Sequence, residues 1–390
     1  MIIKMDEVSS APLLMTPGPT PVSENVRLAR ARAMTNPDLD RTFFDFYKET
    51  CHRLGQILKT KHEVRILGGE GILGLEAACA SLTEPGDRVL VLDNGVFGEG
   101  FADFVKLYGG DPILLSTDRR RAIEPAILAE FLAQDSAFKY ATLVHCDTPS
   151  GVLNDVGSLC PLLKKYGILT VVDSVSAIGG EDLQVDAWQV DLALGGSQKA
   201  LSAPPGLTFL SISPEAFETM HARRTPIASY YANLLLWENY YRDQWFPYTP
   251  PGSDICGLAV AIDNILADTG VFDRHARMGA AVRSAVQKAG LKLYLEQDYS
   301  NTVSAIEVPV GVDEQAVRTA MLRDYQIMIA GSFGFLAGKV FRIAHMGESA
   351  RPWLLERTLS ALHQTLAHEG FVCLIDLGQA FREALAEGGV

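Results

Sequence analysis

The sequence predicts a doubly wound α/β fold with a mostly parallel sheet, followed by a smaller α+β domain at the C-terminal end. Three observations predict it. Short apolar runs bounded by turn residues recur along the chain, they are apolar and β-branched on both faces, and stretches of helical periodicity separate them. Strands buried on both faces mark a parallel sheet covered by helices.

In chain order, strands are expected at Val64–Leu67, Arg88–Leu92, Ile113–Leu115, Thr142–His145, Ile168–Val172, Leu192–Leu194 and Thr208–Ile212. Helices are expected at Leu73–Leu82, Phe101–Tyr108, Glu124–Leu132, Gly157–Tyr166 and Pro214–Arg223. From about Leu258 the pattern changes to one long helix over Leu258–Asp268 and Phe272–Ala289, then strands near Ser304–Val308 and Lys339–Ile343, and a closing helix over Pro352–His368. This places an N-terminal arm at 1–21, a large domain at 22–265 and a small one at 266–390, joined by a continuous helix. The stretch Phe246 to Ser253, FPYTPPGS, is dense in Pro and aromatic residues and is expected to be an exposed loop.

Composition narrows the function classes. A chain of 390 residues with 48% hydrophobic content can bury a core large enough for two domains. No apolar run approaches the roughly 20 residues of a bilayer span. The stretch Met1 to Ser10 carries Asp6 and Glu7 and does not read as a secretory signal, so a cytoplasmic protein without membrane contact is expected. The six cysteines include no CxxC pair, which fits reduced thiols better than a disulfide or zinc framework, and no metal is expected. A net charge of −13 argues against a nucleic-acid partner.

Gly69-Glu70-Gly71-Ile72-Leu73-Gly74 follows the first strand and opens a helix, with Asp93 at the end of the next strand. That is the context of a dinucleotide fingerprint, so an NAD-dependent dehydrogenase is one reading. The glycines serve equally well to make a tight turn, or to present helix N-terminal N–H groups to another anion.

The strand Ile168–Val172 runs into Asp173-Ser174-Val175-Ser176, which puts a carboxylate at the carboxyl end of a strand, where open α/β sheets hold ligands. Lys199 follows another strand in the turn Gly195-Gly196-Ser197-Gln198-Lys199, a setting suited to a desolvated amine nucleophile. Pyridoxal chemistry needs both groups: an amine to bond the aldehyde and move a proton, and an acid to keep the pyridine nitrogen protonated. Taken singly, a strand-end Asp is as easily a helix cap and a loop Lys a solvated charge.

The series DSVSAIGG, GGSQKALSAPPG, HCDTPSG and RIAHMG resembles class V of the fold-type I pyridoxal-dependent enzymes, the alanine–glyoxylate and serine–pyruvate aminotransferase family. The likeness runs from MTPGPTP at Met15 to Arg342 and beyond. It implies Lys199 as the Schiff-base lysine, Asp173 as partner of the ring nitrogen, and Thr148 as donor to the ring hydroxyl oxygen. It implies Phe97 stacked on the ring, and Glu70, Gly71, Ile72, Ser176 and Gln198 as further cofactor contacts. Thr249 would touch the cofactor phosphate from a neighbouring subunit, which implies a homodimer and allows a tetramer. Arg342 would grip the carboxylate of a small amino or 2-oxo acid, for which a guanidinium offers two parallel hydrogen bonds.

Two departures qualify the resemblance. Glu70 stands where most of the family cups the phosphate of pyridoxal 5'-phosphate with a small residue and a hydroxyl. At about 5 Å and an effective dielectric near 20, a carboxylate facing a dianion costs on the order of several kcal/mol. The segments GEGILGLEAACASL, HCDTPSG and FPYTPPGSDICGL resemble the branch that transaminates unphosphorylated pyridoxamine with pyruvate, giving pyridoxal and alanine. The other departure is Phe333, in Gly331-Ser332-Phe333-Gly334, where that branch carries a second arginine. A conventional enzyme holding pyridoxal phosphate and acting on alanine or serine with glyoxylate or pyruvate remains the alternative, as does the favourable interaction of Glu70 with the helix dipole alone.

Overall fold

The computed structural model describes residues 11–387. Seven strands form the central sheet: β1 (Glu63–Gly68), β2 (Arg88–Asp93), β3 (Asp111–Ser116), β4 (Tyr140–Val144), β5 (Leu169–Asp173), β6 (Leu192–Gly196) and β7 (Leu207–Ile212). Their order across the sheet is β1-β7-β6-β5-β4-β2-β3. All pairs are parallel except those of β7, which runs antiparallel to both β1 and β6. The strands expected from the sequence are therefore present, with boundaries shifted by a residue or two. The reversal of β7 lets the segment 197–206, which carries Lys199, turn directly from β6 into its neighbour.

Helices cover both faces. Before β1 come α1 (Glu24–Arg30) and α2 (Arg41–Leu58), which the sequence pattern does not single out. Asp40 starts α2 by accepting Thr42 N–H at 2.9 Å, and Phe43, Phe44, Tyr47, Cys51, Leu54 and Leu58 bury one stripe of it. Then follow α3 (Gly71–Leu82), α4 (Val96–Leu107), α5 (Pro125–Gln134), α6 (Val156–Lys164) and α7 (Pro214–His221). Ser213 caps α7 through Ala216 N–H at 3.0 Å, with Pro214 at the first helical position.

The helix expected to run on between the domains is broken. α8 (Gly252–Ala267) and α9 (Val271–Lys288) meet at 84°. Asp268 leaves helical geometry, and its carboxylate accepts Gly270 N–H at 3.2 Å and pairs with Arg274, which fixes the corner. The C-terminal domain adds β8 (Val303–Glu307), α10 (Glu314–Tyr325), β9 (Val340–Ala344) and α11 (Pro352–His368); β8 and β9 pair antiparallel. Pro352–His368 does not close the chain, since α12 (Leu377–Glu387) follows and packs on α9 and α11.

Two cores result. One runs from Val26 to Ile262 around the sheet, and the other joins Met15 to residues from Met278 to Phe381. Met15 belongs to the second because Leu13–Leu14 pairs in parallel with Ile327–Met328. The FPYTPPGS stretch is not simply exposed. Phe246 is buried, stacked on Phe44 at 4.3 Å and edge-on to Tyr47, because a ring this large gains more from an aromatic pocket than from water. Thr249 in the same stretch does reach solvent. All six cysteines are free thiols, and among the described residues no single helix is long and apolar enough to cross a membrane.

Candidate active site

The parallel strands β2, β4, β5 and β6, together with β1, end at one edge of the sheet, and the loops leaving that edge enclose a cavity of about 270 Å³. Asp173, the last residue of β5, and Lys199, three residues past β6, both line it. Phe97, Thr148 and Ser176 form further parts of the wall, and Glu70, Gly71, Ile72 and Gln198 close the end where α3 begins. A larger cleft of about 610 Å³ beside Arg274 and Arg351 holds charges already matched, Arg274 by Asp268 and Arg351 by Glu348. The smaller cavity is the one that gathers unmatched reactive groups.

Burial sets the ionisation there. Desolvation pushes Asp173 up to about 7, against the opposing pull of the Val175 N–H it accepts at 2.9 Å and of the Lys199 charge. Desolvation, followed by the positive charge of Arg342, pushes Lys199 down to about 8, with Asp173, Cys146 and Glu70 acting the other way. An amine in that range is partly neutral near pH 7, which makes it a competent nucleophile and proton carrier.

The arm explains how Lys199 is held. Its Nζ donates to the Pro17 carbonyl at 2.6 Å, and Thr20 Oγ1 donates to the Lys199 carbonyl at 2.8 Å. Gly18 lies so close that a Cβ there would stand 2.6 Å from Lys199 Cδ and Nζ, and its φ of +105° is costly for any other residue. Nothing local in MTPGPTP signals this contact, which spans 182 residues for the Pro17 hydrogen bond.

At the α3 end, Glu70 occupies the N-cap position but makes no capping hydrogen bond with its side chain. Its carboxylate instead accepts Gln198 Nε2 at 2.8 Å. Of the glycines around it, Gly74 is needed for packing, because a Cβ there would meet Thr208 Oγ1 at 2.5 Å. Asp93 is buried and already engaged, accepting Gly95 N–H at 3.2 Å and Ser116 Oγ–H at 2.9 Å and pairing with Arg119. Both Asp93 oxygens are thus tied into the protein's own contacts, and the glycine pattern serves a turn and close packing here rather than a dinucleotide site.

Two of the expected residues stand apart from the cavity wall. Thr249 is exposed and donates to Asp38 at 2.6 Å. Arg342, on β9, is buried behind the wall: Nε donates to the Gly331 carbonyl at 2.6 Å and Nη1 to the Thr148 carbonyl at 3.3 Å, while Nη2 makes no hydrogen bond among the described residues. Burial pushes Arg342 down to about 10, so it stays cationic at neutral pH. Sequence reasoning missed Asp147, whose carboxylate accepts Phe97 N–H at 3.0 Å and Ser150 Oγ–H at 2.8 Å and feels the Arg342 charge. Its neighbours Thr148 and Ser176 touch through their hydroxyls.

The chain matches the family model for aminotransferase class-V over residues 45–334. It is a class V aminotransferase. It is 33% identical to the pyridoxamine–pyruvate transaminase of Mesorhizobium japonicum, covering 99% of this chain and 98% of that one. It is also 33% identical to the L-aspartate–glyoxylate aminotransferase of Paracoccus denitrificans, over 86% of both. The crystal structure of ureidoglycine–glyoxylate aminotransferase from Bacillus subtilis superposes with a TM-score of 0.93 at 28% identity, covering 97% of this chain and 99% of that one. The fold is thus that of the fold-type I aminotransferases, and the enzyme transfers amino groups. Membership of class V implies pyridoxal phosphate chemistry. The acid, amine, hydroxyl and aromatic groups of the cavity fit the ring, whereas the α3 end presents a carboxylate to any phosphate.

Proposed function

We propose that this aminotransferase transfers the amino group of unphosphorylated pyridoxamine to pyruvate, yielding pyridoxal and alanine. The observation that carries the reading is the Glu70–Gln198 hydrogen bond at the start of α3. It supports a carboxylate held at the α3 end of the cavity, the end at which the resemblance puts the ring phosphate. A free hydroxymethyl group can donate to that carboxylate, whereas a phosphate dianion can only repel it.

When bound, the ring supplies an electron sink for the carbanion left when the amino-bearing carbon loses its proton. In this reading Asp173 would hold a proton on the pyridine nitrogen, a cation that would in turn favour the ionised carboxyl. Thr148 would donate to the ring hydroxyl oxygen, and Phe97 would pack against the ring. Lys199 would hold the ring through its aldehyde with release of water and, once displaced as the free amine, would carry the proton to and from the acid's amino carbon. Arg342 offers Nη2 and the free N–H of Nη1 to the acid's carboxylate.

The two cores support a division into an arm at 1–21, a ring-binding domain at 22–265 and a small domain at 266–390. Thr249, exposed and outside its own cavity, and Ile72, 41% exposed at the cavity rim, support a homodimer in which each subunit completes its partner's site. The free thiols suit the cytoplasm.

A second reading keeps the phosphate form. Its support is that the Gly71 and Ile72 N–H groups at the start of α3 receive no hydrogen bond from the Glu70 side chain, while Leu73 N–H donates to the Glu70 carbonyl at 2.8 Å. Glu70→Ser decides between the two. Titration of the ligand-free enzyme is expected to give tighter binding of pyridoxal than of its phosphate, with the serine variant gaining on the order of 100-fold or more for the phosphate. Tight phosphate binding by the unmodified enzyme defeats the free-vitamer reading.

A further inference from the structure

One large side chain at the site has no part in the roles assigned so far. Phe333 precedes β9 in the turn Gly331-Ser332-Phe333-Gly334, and its ring centroid lies 5.4 Å from the Arg342 guanidinium. The same ring meets Phe97 edge-on at 5.9 Å and 85°. Ser332 Oγ donates to the Pro149 carbonyl at 3.4 Å, so this turn of the C-terminal domain is tied to the loop that carries Thr148. Phe333 is nevertheless 44% exposed. An aromatic face that covers a buried cation and touches the ring-stacking side chain, yet is not itself covered, borders the space next to the carboxylate site.

We propose that Phe333 determines which acid is accepted: its ring is the wall for the substrate's side chain, admitting monocarboxylic 2-oxo acids with a small apolar group and rejecting dicarboxylic ones. This rests on Arg342 as the carboxylate site of the preceding reading. A second carboxylate directed at this wall would meet aromatic carbon and no N–H donor. Arg318, a further cation bearing on Arg342, is committed to Glu314 through both Nε and Nη2, the latter at 3.1 Å. The acids facing Arg342 are Asp147 and Glu314, and Arg318 and Lys199 are the other cations that feel its charge. One substrate carboxylate takes the unused Nη2. A second, directed at the Phe333 ring, has no donor to receive it, and an unpaired charge in a desolvated pocket is strongly disfavoured.

The test measures kcat/KM for glyoxylate, pyruvate, 2-oxobutanoate, oxaloacetate and 2-oxoglutarate in the wild type, Phe333→Ala and Phe333→Arg. The wild type is expected to favour pyruvate and 2-oxobutanoate over both dicarboxylates by about 100-fold or more, since the site then leaves a polar group unpaired. Phe333→Ala should lower pyruvate and 2-oxobutanoate by about 10-fold, the scale of one lost apolar contact, while glyoxylate, which has no side chain, changes less than about 3-fold. Phe333→Arg should raise the ratio of dicarboxylate to pyruvate by about 100-fold through a new bidentate donor. Ring binding, followed by absorbance, should be unchanged in both variants. A uniform fall for all five acids in Phe333→Ala, equal use of dicarboxylates by the wild type, or no gain in Phe333→Arg overturns the proposal. The series is run with whichever ring form the enzyme turns over, so failure of the free-pyridoxamine reading leaves this test intact.

Discussion

Asp173 is expected to trade stability for function, and Asp173→Asn measures the exchange. In the ligand-free protein, desolvation raises its carboxyl from 3.8 to about 7. A difference of roughly 3 pKa units at 1.36 kcal/mol each corresponds to about 4 kcal/mol of native-state penalty for the ionised form. Asparagine removes that charge and can still accept the Val175 N–H, losing about 1 kcal/mol of charge assistance. Lys199 loses its nearby counter-charge as well, so the net stabilisation should be about 2 kcal/mol, or roughly 2–3 °C in Tm for a chain of this length.

The sign depends on pH. Because the folded pKa is raised, native Asp173 holds its proton where the unfolded chain has released it. Wild-type stability from this group is complete below about 4 and is lost as pH rises through about 7. The advantage of the variant should therefore be negligible near pH 4, grow across the interval and level off above 7. Thermal unfolding of ligand-free protein at several pH values checks this. Bound pyridoxal should reverse the order, since its ring nitrogen gives the carboxylate a cationic partner; the ligand should raise Tm more in the wild type than in the variant. A stability difference independent of pH, or an equal ligand effect in both proteins, would refute the reasoning.

Two further outcomes test the lysine. Capture of pyridoxal, followed by stopped-flow absorbance, should slow about tenfold per pH unit below about 8 as Lys199 becomes protonated, and Lys199→Ala should lose both the absorbance change and steady-state turnover while still binding the vitamer. Transamination retained by Lys199→Ala sinks the assignment. Gly18→Ala should fold with unchanged circular dichroism yet lose at least about tenfold in kcat, because its Cβ would strike the Lys199 side chain in a backbone conformation alanine resists. Unchanged kcat would show that the arm does not position the lysine.

The expected strands and most of the expected helices were legible because their signals are local. Apolar, β-branched runs and helical stripes depend on neighbours two to four residues apart, and the ends of β4, β5 and β6 carry their chemistry in contiguous motifs around Thr148, Asp173 and Lys199. The corner at Asp268 was not legible, because two good helical patterns on either side of a short turn look the same whether the chain runs straight or bends by 84°. The burial of Phe246 was hidden by its proline-rich surroundings, since the pocket that receives it is built from Phe44, Tyr47, Trp237 and Tyr240.

What the amino-acid order determined by itself is the α/β architecture, the family, and a set of acid, amine and hydroxyl groups at strand ends. Tertiary structure alone decided what surrounds each one: the Pro17 carbonyl over Lys199, the Gln198 amide on Glu70, the Phe333 ring on Arg342, and the desolvation that brings Asp173 and Lys199 towards neutrality. The physical reason is range. Conformational preference is written in adjacent residues, whereas dielectric environment and contact partner arise when different segments, 128 residues apart for Glu70 and Gln198 and 182 for Pro17 and Lys199, exclude water from the same space.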